Sequence, residues 1–87
     1  MAVTSGQMAI GITPVAIDGV STNPYRMHIH SMDNTKKLYI GGPDVTTTNG
    51  LELQGLDTMD LIVSPNEQIY IVSEQAGNRV SWLRIDV

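Results

Sequence analysis

Two stretches of this 87-residue chain hold residue types that could do chemistry. In RMHIHSM (residues 26–32), His28 and His30 stand two apart. On a β-strand that spacing projects both imidazoles from one face, as in His-rich metal sites. A closed or catalytic site needs a third and a fourth ligand, and the chain has two histidines and no cysteine. Alternation of His28 and His30 with Met27 and Ile29 is also what a solvent-facing strand produces. No metal and no cofactor is therefore assigned. The second stretch, GGPDVTTTNGLEL (41–53), has the glycines of a phosphate cradle but no Gly-Lys-Ser/Thr opening a helix. Asp44, Thr46 and Thr48 alternate as calcium ligands would, yet the carboxylates and the distal Glu of a calcium loop are missing.

Catalysis has little more to stand on. Six serines and two histidines can be combined on paper into a triad, but no G-x-S-x-G pattern holds a serine on a strained elbow. The carboxylates Asp57 and Asp60 fall in a turn and at a strand start, where acids are ordinary. We expect no enzyme. Trp82 could stack on a sugar, with Tyr70 as its companion. In a chain with one Trp and no Phe, it serves more readily as a core or interface plug.

The elements that carry these residues follow from composition and period. Hydrophobic content is 41% and charged content 16%, the latter well below the roughly 25% usual in soluble domains. A surface so sparingly charged is suited to being covered in use. Five basic residues (Arg26, Lys36, Lys37, Arg79, Arg84) form no contiguous cationic track, and net charge is −4, which argues against nucleic acid. No run of about 18 apolar residues exists to cross a membrane, and MAVTSGQMAIGI lacks the basic start and apolar run of a signal peptide. Apolar residues recur in short alternating runs between Gly, Pro, Asn, Asp and Ser, so the period is that of strands. We expect an all-β fold, a small antiparallel β-sandwich or barrel of six to seven short strands.

The expected strands are 8–17, with Pro14 marking an edge or a bulge; 25–30; 37–40, its hairpin partner; 51–53; 59–63; 69–73, central because both faces are apolar; and 79–87. In the last strand apolar parity switches between Trp82 and Leu83, which reads as a bulge or a bend between sheets. Ser64–Gln68 reads as a type I turn with Pro65 in second place. Residues 1–7 are expected as a flexible N-terminal arm and 8–87 as one domain. Within 41–53, Gly41-Gly42-Pro43 breaks a strand, Val45 to Thr48 favour an extended ribbon, and Asn49-Gly50 supplies positive φ for a reversal. Leu51 and Leu53 then plug the core.

LYIGGPDVTTTNGLELQGLDTMDL (38–61) followed by IYIVSEQAGNRVSWLRI (69–85) resembles a recurrent type of short protein from tailed-phage structural gene clusters. The chain departs from that pattern at Pro43, where a small polar residue is commoner. The resemblance implies a virion structural protein, a small β-sandwich of the capsid decoration or cement type. Such a protein oligomerises, as a trimer by preference, and docks on the major capsid protein at the virion surface after assembly in the host cytoplasm. The alternative is a carbohydrate-binding or adaptor module of a tail or fibre. Candidate partner-binding residues are Asp44, Val45, Thr46, Thr47, Thr48, Asn49 and Trp82.

Overall fold

The computed structural model describes residues 3–19, 21–33 and 35–86. They form eight strands and no helix: β1 (Val3–Ile10), β2 (Val15–Ile17), β3 (Tyr25–Ser31), β4 (Leu38–Gly41), β5 (Leu51–Leu53), β6 (Thr58–Val63), β7 (Ile69–Ser73) and β8 (Asn78–Asp86). Two antiparallel sheets of four strands, ordered β1-β8-β3-β6 and β2-β7-β4-β5, pack into a sandwich. The pairing is nested: β1 with β8, β2 with β7, β3 with β6, β4 with β5. A long hairpin folded in this way and then wrapped on itself is a jelly roll, a double Greek key that limits open edges.

The core comes from the period-2 pattern. In β3 every second residue, Tyr25, Met27, Ile29 and Ser31, is buried while Arg26, His28 and His30 face outward. Across the sandwich, Ile17, Leu38, Ile40, Leu53 and Ile71 answer them. With no Phe, this interior is mostly aliphatic, its aromatics being buried Tyr25 and the adjoining Trp82, and it is closed at each end by polar groups. At one end buried Asn78 donates Nδ2 to Ser73 Oγ (3.2 Å) and to the Lys36 carbonyl (3.4 Å), and accepts from Arg79 N (2.8 Å). At the other, Arg84 turns inward over the Tyr25 ring, 4.0 Å from its centroid, and pairs with Asp86 (2.9 Å) and Asp18 (3.0 Å). Those two carboxylates hold the guanidinium's pKa above its usual value, hydrogen bonding to Asp86 first. Burial raises the Tyr25 phenol, partly offset by the Arg84 charge.

Several local expectations are corrected. The stretch 8–17 is two edge strands in different sheets, and the chain changes sheet over residues 11–14, ending at Pro14. Residues 3–7, expected within a flexible arm, are paired with β8 from Val3↔Ile85 to Gln7↔Ser81; Met1 and Ala2 lie outside the described residues. The strand at 37–40 is not a partner of 25–30: β3 pairs with β6 and β8, β4 with β5 and β7. β8 has no bulge, since its register is unbroken against both β1 and β3. Trp82 continues the inward set of Val80, while Leu83 and Ile85 belong to the outward set, so the parity switch reflects apolar residues on both faces. The turn at Ser64–Glu67 closes on Ser64 O (3.2 Å) with Asn66 at φ 64°, which a type I turn does not allow; asparagine tolerates the left-handed region and makes it a type II-like turn.

Candidate functional site

The topology sorts the loops into two groups. The connections β1–β2, β3–β4, β5–β6 and β7–β8 gather at one end, tied by Ser73 N to Gly11 O (2.9 Å), Ser31 N to Asp57 O (3.0 Å), Met32 N to Arg79 O (3.1 Å) and Glu74 N to Lys37 O (3.2 Å). The connections β2–β3, β4–β5 and β6–β7 occupy the other, where Asn66 N bonds Ser21 O at 2.7 Å and Gln68 Nε2 bonds Asp18 O at 3.1 Å.

The threonine stretch is the β4–β5 connection. It is not an extended ribbon but two turns, closed by Val45 N to Gly42 O and by Gly50 N to Thr46 O, each 3.0 Å. The side chains feed this geometry. Asn49 Oδ1 accepts from Thr46 N (2.7 Å), and Thr46 Oγ1 accepts from the backbone of Thr48 and Asn49 (both 3.3 Å). Asn and Thr used in this way replace backbone partners rather than recruit a ligand. Neither Asn49 nor Gly50 has positive φ. Gly50 is needed for space: a Cβ there would lie 2.7 Å from Tyr39 Cβ and 2.8 Å from Val45 Cγ2.

Val45 is therefore no surface contact. It is 2% exposed, wedged between Gly41 and Gly50, and lies outside the main core cluster. Asp44, Thr46, Thr47, Thr48 and Asn49 are exposed around it. Leu53 is buried as expected, whereas Leu51 on the edge strand is 60% exposed. Trp82 does not join this loop. It sits half-buried on the inter-sheet side of β8, packed against the core, its indole over Gly6 so closely that a Cβ at Gly6 would come within 2.7 Å of Cζ2.

His28 and His30 do share the outer face of β3, and His28 Nδ1 lies 2.6 Å from Asp60 Oδ1 on β6. Among the described residues no three His, Cys, Asp or Glu side chains gather as metal ligands would. An open cleft of about 400 Å³ is lined by Arg26, Asp60, Leu61 and Ile62 at the edge of this sheet. Its side chains do not converge on one enclosed point, unlike a ligand pocket with a few aimed polar groups.

What sequence reasoning missed is at the other end. Ile12 (69% exposed) in the β1–β2 connection, Met32 (37%) after β3 and Leu56 (54%) in the β5–β6 turn all present apolar side chains to solvent. Leu56 is also strained, with φ 65° in a turn where Asp57 N bonds Gln54 O at 3.1 Å. A branched residue in the left-handed region is uncommon and costs roughly 1 kcal/mol or more. The available signal was local: each lies in a segment (GITP, SMDN, QGLD) whose neighbours are turn formers, so burial in a strand was not on offer.

Comparison with known proteins adds a fold likeness. No family model and no curated protein matches the chain. Among solved structures it is similar to a chain from the disulfide-linked pili that form Bacillus endospore appendages, with a TM-score of 0.60 at 12% identity, covering 99% of this chain and 86% of that one. At that identity the likeness extends to the fold: the two chains share a β-sandwich.

Proposed function

We propose that this chain is a structural subunit that works by protein–protein docking, in its finer form a decoration protein that binds the major capsid protein of an assembled virion shell. The observation that carries the reading is the exposure of Ile12, Met32 and Leu56, three apolar side chains from three separate connections at one end of the sandwich. Isolated exposed apolar residues are normal; several at one end, one of them held in a strained turn, suit a contact surface. The low charge content and the resemblance of residues 38–61 and 69–85 to small phage structural proteins support the same reading. The mechanism is linkage: a protein that binds only the assembled shell stabilises it by its own binding free energy. In this reading docking uses the end that carries Ile12, Met32 and Leu56, opposite the threonine loop.

The test is co-sedimentation of the purified chain with shells built from major capsid protein alone. Saturable binding and slower loss of shells on heating are expected, both lost in an Ile12→Ser/Leu56→Gly variant. A chain that stays in the supernatant at every concentration refutes the reading. The fold likeness to an appendage pilus favours a second one, a fibre subunit, which would have to associate without disulfides because the chain has no cysteine. Filaments of the pure chain in electron micrographs would select it.

A further inference from the structure

The outward face of the β1-β8-β3-β6 sheet carries an apolar band that nothing among the described residues covers. Its register places residues in rows across the strands. Val3, Ile85, Arg26 and Ile62 form one row; Ser5, Leu83, His28 and Asp60 form the next. Ile62 is 69% exposed, Val3 61% and Leu83 37%. A four-stranded sheet shows this much aliphatic surface to solvent when it has a partner, because an antiparallel sheet facing water alternates to polar residues on that side.

We propose that this face binds a second copy of the same chain, sheet against sheet, around a twofold axis. Charge and register both favour that occupant. Within the two rows one cation, Arg26, stands one strand and one row from one anion, Asp60. Among the described residues Arg26 makes no ion pair, and Asp60 contacts His28 with one oxygen. A twofold axis running across the strands, midway between the rows, exchanges the rows of the two copies. Ile85 then lies over Leu83 of the second copy, and each Arg26 lies over His28 of the second copy, one strand from its Asp60, so two Arg26–Asp60 pairs of opposite charge flank the axis on the β3–β6 side. An isologous contact requires this self-complementarity. With strands ~4.8 Å apart and sheets packing ~10 Å face to face, the geometry is that of an ordinary sandwich interface. The inference rests on the structural-subunit reading and deepens it by naming one partner.

Sedimentation equilibrium of the full chain, from micromolar to millimolar, tests it. The expected result is a reversible monomer–dimer equilibrium, the heavier species having twice the 9.5 kDa of one chain. Leu83→Lys, an outward substitution that leaves the core untouched, should weaken the dimer at least ~10-fold, the factor that ~1.4 kcal/mol corresponds to. Arg26→Glu and Asp60→Arg should each weaken it, and the double reversal should restore it. Leu56→Gly, at the apolar loop end, should leave it unchanged. A chain monomeric throughout, a trimer mass, or a Leu83→Lys variant that is folded by circular dichroism and dimerises as before would overturn the proposal. Shell binding is read separately by co-sedimentation, so failure here and failure of capsid docking are distinguishable.

Discussion

Replacing Gly41 by alanine puts a methyl carbon 2.9 Å from Val45 Cγ2 and 3.2 Å from Val45 Cβ, with no other atom among its close neighbours. The backbone of Gly41 is not in the left-handed region, so the substitution acts through space alone. Overpacking of this kind costs about 1–3 kcal/mol. Val45→Ala by itself removes two methyl groups from a side chain that is 2% exposed, about 0.8 kcal/mol each plus a cavity contribution, or ~2 kcal/mol together. If the two residues acted independently, the double variant would lose ~3–5 kcal/mol. In the double variant, however, the methyl added at position 41 occupies space vacated by the valine γ-carbons. The loss should therefore stay near that of Val45→Ala, a coupling of roughly 1–3 kcal/mol. Urea unfolding followed by fluorescence of Trp82, the single tryptophan, measures all three. With m of about 1 kcal/mol/M for a chain this small, each kcal/mol moves the midpoint by ~1 M. A double variant whose loss equals the sum within ~0.5 kcal/mol would refute the wedge, as would a Gly41→Ala variant as stable as the parent.

Three further predictions use the same measurement or its pH dependence. Tyr25→Phe deletes a buried hydroxyl that has no hydrogen-bond partner among the described residues while keeping a ring beneath Arg84, so stability should hold or rise by up to ~1 kcal/mol; a loss above ~1 kcal/mol would show that the hydroxyl is satisfied. Leu56→Gly relieves a left-handed leucine and should stabilise the fold by about 1 kcal/mol while weakening shell docking; stability and docking falling together would mean that Leu56 is a packing residue. Asp33 accepts hydrogen bonds from Thr35 Oγ1 (2.6 Å) and Thr35 N (2.8 Å) and from Lys36 Nζ (3.1 Å), which together bring its pKa down to about 2. Its folded-state value lies below its unfolded one, so its contribution is present above pH ~4 and lost as pH falls through about 2. A carboxyl resonance of Asp33 titrating near pH 4 would contradict this.

The contrast between β3 and β4 shows what was legible and what was not. Tyr25, Met27 and Ile29 announce a half-buried strand by their period of two, and Leu38–Gly41 is equally plain as a strand. Which strand each would lie against was not readable. The DNTK turn between them looks like a hairpin turn, yet it carries the chain from one sheet to the other. Of all sequence-adjacent strands, only β4 and β5 pair within the described residues. Turn residues set the local reversal, whereas the partner of a strand is set by closing a core over long sequence separations, which no local pattern encodes.

The same division runs through the candidate sites. Alternation and turn chemistry are properties of neighbouring residues, and they suffice for the all-β class, the outward placing of His28 and His30 on β3, and the burial of Leu53. Three features needed the folded chain: Val45 as a wedge between two glycines rather than a contact, Trp82 packed over Gly6, and Ile12, Met32 and Leu56 exposed on loops at the same end. Each depends on how segments separated in the chain are brought together, and nested jelly-roll pairing does that.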